Sequence, residues 1–112
     1  SGFNQGIIDN VVNANWAIEY LLENDVELVE YAYRLFFHQS IPYLMFLPIK
    51  EMTPKNKVFI MIRIYLKNNI KNWLFNKHLT IKERLILVAF FICPRFFRKS
   101  LEKINYKNYY QD

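Results

Sequence analysis

The stretch Thr80-Ile81-Lys82-Glu83-Arg84-Leu85-Ile86-Leu87-Val88-Ala89-Phe90-Phe91-Ile92-Cys93-Pro94 carries its own start and stop signals. Thr80 and Glu83 have the spacing of a capping box, in which each side chain accepts a hydrogen bond from the other residue's backbone N–H. Two donors left over by the first helical turn are thereby satisfied. Pro94 has no N–H to extend a helix and disfavours helical geometry in the residue before it. Leu85, Val88 and Phe91 recur between them at helical steps, so the spacing predicts a helix over 81–92.

Pro94 also suits the start of a new helix. Arg95, Arg98, Lys99, Lys103 and Lys107 interleave with Phe96, Phe97, Leu101 and Ile104, which predicts a short basic amphipathic helix over 95–104. The Tyr-rich polar tail over 105–112 is expected to fray.

Upstream, Thr53-Pro54 combines a capping residue with a proline at the first helical position, predicting a long helix over 54–75. Its apolar side carries Phe59, Ile62, Leu66, Ile70, Trp73 and Leu74, although the β-branched run at its start also fits a strand. Pro42 and Pro48 confine the segment between them to a short helix or buried turn. Asn24, with Glu27 three residues on, predicts the cap of a helix that buries Val26, Val29, Tyr33, Phe36 and Phe37 and ends near Gln39. The first helix, over 5–23, follows from Ile7, Val11, Ala14, Ile18 and Leu21, a stripe widened by Ile8, Val12 and Leu22.

Glycine occurs only at positions 2 and 6, so the chain beyond has no residue for glycine-dependent hairpin turns or phosphate loops. The expected fold is all-α: four to five helices in a compact orthogonal or bundle-like arrangement, without a sheet, as a single domain over 1–112. Hydrophobic residues make up 53% of the chain and aromatic residues 18%, too apolar for disorder and rich enough that some of this surface is expected to face a partner, a second copy if the chain is a free-standing helical protein-interaction module. The longest apolar runs fall short of the roughly 20 residues of a spanning helix.

Charge divides the chain. Residues 1–49 hold Arg34 as the only base against six acids, whereas residues 50–112 hold fourteen bases against four acids, a layout suited to an anionic partner. The interleaved bases and aromatics nominate Arg95, Phe96, Phe97, Arg98 and Lys99 as contacts with an anionic membrane surface. No zinc-finger spacing or RNA-recognition signature accompanies the bases, which argues against nucleic acid.

Catalysis finds no constellation. His38 and His78 stand apart without a second ligand at helical spacing, which argues against a metal site. Ser40 near His38 lacks an orienting acid and the glycines of a nucleophile elbow. Glu19, Glu23, Glu27 and Glu30 read as a solvated acidic face, and the lone Cys93 as a small buried hydrophobe. No catalytic, cofactor-binding or metal-binding residue is assigned.

Three segments carry a resemblance: Asn10 to Leu22 (Asn-Val-Val-Asn-Ala-Asn-Trp-Ala-Ile-Glu-Tyr-Leu-Leu), Tyr31 to Phe37, and Leu79 to Phe97 with its Leu-Thr-x-Lys-Glu-Arg opening and Pro-Arg-Phe end. Together they resemble the helical C-terminal region of bacterial family-2 glycosyltransferases with a GT-A-type catalytic domain. The family's Asp-x-Asp metal motif is absent. The resemblance therefore implies a non-catalytic accessory region that packs on the parent chain's catalytic domain, oligomerises or docks on membrane. It further implies that a nucleotide sugar and a divalent metal are bound by that catalytic domain in cell-surface polysaccharide synthesis. The implied location is cytoplasmic, peripheral at the inner membrane face.

Overall fold

The computed structural model describes residues 5–104, and the tail over 105–112, with Lys107, lies outside them. Among the described residues six α-helices form, against an expectation of four to five: α1 (Gln5–Asn24), α2 (Val29–Phe46), α3 (Lys57–Asn68), α4 (Ile70–Leu74), α5 (Ile81–Ile92) and α6 (Pro94–Ile104). Short 3₁₀ turns at Val26–Leu28 and Ile49–Glu51 join the early ones, and the described residues contain no strand.

α1 and α2 form an antiparallel hairpin, and the chain then folds back along it. Tyr43 donates its hydroxyl to Asn56 Oδ1 at 3.0 Å near the start of α3, while the Tyr65 ring near its end packs 4.4 Å from Phe36. α3 is therefore antiparallel to α2, with the Tyr65 hydroxyl reaching Asn15 on α1. α1 supplies Val11, Ala14 and Ile18 to the core, α2 supplies Phe36, Phe37 and Leu44, α3 supplies Ile62 and Leu66, and Trp73, Leu87 and Phe90 close it from the C-terminal side.

Boundaries depart from expectation where another contact, local or long-range, outweighs the signal read from the sequence. Asn24 ends α1 instead of capping the next helix: its Nδ2 donates to Tyr20 O at 2.9 Å, and the turn after it has no side-chain cap. Val26, expected in the core, is exposed in that turn.

Pro42 does not start a helix but lies inside α2. A proline there costs about 3 kcal/mol. Continuing the helix buries Ile41, Tyr43 and Leu44 and brings Leu47 into the core, at about 1.5–3 kcal/mol for each large apolar side chain.

Thr53-Pro54 forms a turn closed by Asn56 N–H donating to Thr53 O at 3.1 Å. The cap of α3 is Asn56, whose Oδ1 accepts from Phe59 N–H at 3.0 Å while also holding the Tyr43 hydroxyl. The helix expected over 54–75 is thus shorter, and it breaks at Asn69. Tyr65 O accepts from both the backbone N–H and the side-chain amide of Asn69, at 3.0 and 3.2 Å, and the Trp73 indole N–H takes the Leu66 carbonyl at 2.8 Å, so a side chain supplies the donor that the broken helix does not.

The start of α5 forms as expected. Thr80 Oγ1 accepts from Glu83 N–H at 3.1 Å and Glu83 Oε1 accepts from Thr80 N–H at 3.0 Å.

Candidate functional site

Among the described residues no three His, Cys, Asp or Glu side chains come together as a metal site would require. Ser40 is buried with its hydroxyl donating to Phe36 O at 2.8 Å. His38 instead pairs through Nδ1 with Glu83 Oε2, a contact between residues 45 apart that no local pattern signals. Glu19, Glu23 and Glu27 lie exposed along the acidic end.

The basic residues separate by type. Arg63 Nη1 donates to Phe90 O and Phe91 O at 2.9 and 3.1 Å, and Arg84 Nη2 to Asn76 O at 2.7 Å. Arg95 Nε and Nη2 both donate to Met52 O, at 3.3 and 2.9 Å, and Arg98 Nε to Leu47 O at 2.9 Å. Each of these arginines spans from its own helix to a carbonyl where the chain ends a helix or turns, a task suited to a planar fork of donors. The lysines of α5 and α6, Lys82, Lys99 and Lys103, are exposed.

Of the five nominated membrane contacts, the structure turns Phe96 and Lys99 outward. Arg95 is exposed but tied to Met52. Phe97 is half-buried with its ring 4.9 Å from Phe90, and Arg98 is only 8% exposed, ion-paired to Glu102 at 3.6 Å.

What the periodicity missed lies on α5. The face buried on the core carries Leu87 and Phe90, while Ile81 (73% exposed), Leu85 (64%) and Ile92 (70%) line the opposite face at helical spacing. Phe96, 71% exposed, follows four residues later on α6 and shares its outer side with Lys99 and Lys103. Cys93, expected in the core, sits exposed at the corner between the two helices, because the break there turns the chain outward. α5 is apolar on both faces, so sequence alone leaves open which side the core takes. The two carboxylates on α5 and α6 are engaged, Glu83 by Thr80 and His38 and Glu102 by Arg98. The result is an exposed apolar face bordered by lysine ammonium groups that, among the described residues, no carboxylate engages.

Comparison with family models, with curated proteins and with solved structures yields no match.

Glu83 fastens this edge to α2. Burial pushes its pKa up, but hydrogen bonds with His38 and with Thr80 outweigh burial, and the net shift is downward. A carboxyl with a lower pKa folded than unfolded stabilises the fold above its unfolded value, near about pH 4.3, and that stability is lost as pH falls through the folded value. Glu83→Gln keeps an oxygen for Thr80 N–H but removes the charged acceptor that His38 meets, and is therefore expected to cost about 0.2–1 kcal/mol at neutral pH, the range for a solvent-exposed pair. It should also flatten the fall in stability below pH 4.3. Urea unfolding between pH 3 and 7 checks this, and an unchanged acid slope in the variant rules it out.

Proposed function

We propose that this chain is the non-catalytic accessory region of a nucleotide-sugar-dependent glycosyltransferase, and that it holds the parent enzyme at an anionic membrane face. The observation that carries the docking role is the outer side of α5 and α6: Ile81, Leu85, Ile92 and Phe96 uncovered, bordered by Lys82, Lys99 and Lys103, with the local carboxylates engaged. Apolar side chains entering the acyl boundary beside lysines facing anionic headgroups is the physics of an interfacial helix. No helix among the described residues is long and apolar enough to cross a membrane, so docking on one leaflet is the mode that fits. The glycosyltransferase parentage rests on the sequence resemblance. A separate exposed face on α1, Val12 with the stacked Trp16 and Tyr20, offers a surface for the parent's catalytic domain.

Flotation with vesicles tests the docking. Binding is expected with phosphatidylglycerol vesicles at low salt and not with phosphatidylcholine alone. Leu85→Gln with Ile92→Gln should weaken it more than tenfold, since burying each such side chain contributes about 1.5–3 kcal/mol. Lys99→Gln should weaken it about fivefold, from the roughly 1 kcal/mol a lysine gains near an anionic surface. Trp16→Glu, on the other face, should leave flotation unchanged. Failure to float on phosphatidylglycerol, or full binding by the Leu85 and Ile92 double variant, refutes the docking role.

A further inference from the structure

At the Cys93 corner the docking edge opens into a slot of about 370 Å³ between the start of α3 and the α5–α6 junction. Met52, Phe59 and Ile60 line it, and Phe96, already on the outer edge, stands beside them. Among the described residues its charged lining groups are Arg63 and Arg95, with no carboxylate beside them in the lining. Both guanidinium groups lend some of their N–H donors to backbone carbonyls, Arg63 to Phe90 and Phe91 and Arg95 to Met52. A guanidinium carries five such donors, so each keeps others for a ligand. Lys55, just before α3, and Lys57, its first residue, are exposed and add positive charge at that end of the helix.

This composition selects a ligand class. Sugars and nucleobases need directed hydrogen bonds from many polar groups, and this lining is apolar apart from Thr53 and its arginines. A plain hydrocarbon would leave two cations facing apolar surface. A molecule with an acyl chain and a phosphate satisfies both parts, since guanidinium groups pair with phosphate oxygens through parallel hydrogen bonds.

We infer that the slot receives one acyl chain of an anionic membrane phospholipid, with its phosphate against Arg63 and Arg95. This rests on the membrane-docking reading and makes it more specific: the edge takes one lipid out of the leaflet into a fixed seat, which sets the orientation of the bound protein.

Cys93 lines the slot and is exposed, so its alkylation by N-ethylmaleimide reports occupancy. Two arms separate the slot from the edge. In the first, the rate is followed with monomeric lysophosphatidylglycerol, which has one acyl chain and one phosphate but forms no bilayer; lysophosphatidylcholine is the control. Alkylation should slow at least fivefold with the former and less than twofold with the latter. Arg95→Gln, which keeps an amide donor for the Met52 carbonyl, should raise the half-protecting concentration at least threefold. In the second arm, flotation on phosphatidylglycerol vesicles is scored on the same protein. Flotation with an unprotected Cys93 in the first arm overturns the slot while leaving edge docking intact. Protection by the lysolipid without flotation overturns the membrane as the source and points to a free anionic amphiphile.

Discussion

Trp73→Ala is expected to lower the unfolding free energy by about 3–5 kcal/mol, the range for removing a large aromatic side chain from a core. Trp73 is buried on α4, a helix of five residues that is too short to hold itself together. Its ring packs between Phe37 of α2, at 6.5 Å, and Phe91 of α5, at 5.8 Å. Its indole N–H also donates to Leu66 O, one of the carbonyls that α3 leaves open where it breaks. One side chain thus joins three helices and closes the end of one of them. Against a total stability of about 5–15 kcal/mol for a typical domain, this loss leaves the chain marginal at physiological temperature. Trp73→Phe keeps most of the ring but leaves the Leu66 carbonyl unpaired, and should cost about 1–3 kcal/mol. Urea unfolding followed by far-ultraviolet circular dichroism measures both; a loss below 1 kcal/mol for Trp73→Ala is incompatible with this role.

Local chemistry was readable where both partners lie within one turn. The Thr80–Glu83 box is such a case, and α5 begins where it says. The same chemistry misleads at Asn24, because an Asn side chain serves equally well as a cap or as a donor back to the preceding turn, and here it bonds Tyr20 O. Proline signals at 42 and 54 were outweighed by contacts beyond their neighbourhood: core burial carries α2 through Pro42, and Tyr43 fixes Asn56 as the cap of α3.

The site divides in the same way. Composition makes the chain rich in apolar residues and places all its basic residues but Arg34 after residue 49. Which arginines turn inward depends on carbonyls far along the chain, 43 residues away for Arg95 and 51 for Arg98. The outward face of α5 was hidden for a related reason: with apolar residues all round, its orientation is decided by what α2 and α3 present to it.

Arg98 gives the sharpest test of that division between structural arginines and exposed lysines. Its guanidinium reaches from α6 to the Leu47 carbonyl, where α2 gives way to extended backbone before Pro48. Arg98→Ala should cost about 1.5–3 kcal/mol, the value of a hydrogen bond to a charged group, because it leaves a buried acceptor without a partner. Arg98→Lys should recover only part of this, since an ammonium on a flexible stem lacks the flat donor edge. Lys99→Gln, one position on but exposed, should change stability by no more than about 0.5 kcal/mol. The two neighbours then dissociate: Arg98 variants move the urea midpoint and slow-exchange protection of α6, whereas Lys99 variants move vesicle binding at constant stability. If Arg98→Ala unfolds at the wild-type midpoint, the Leu47 bond is not what docks α6 on α2, and the inward assignment of the arginines loses its energetic basis.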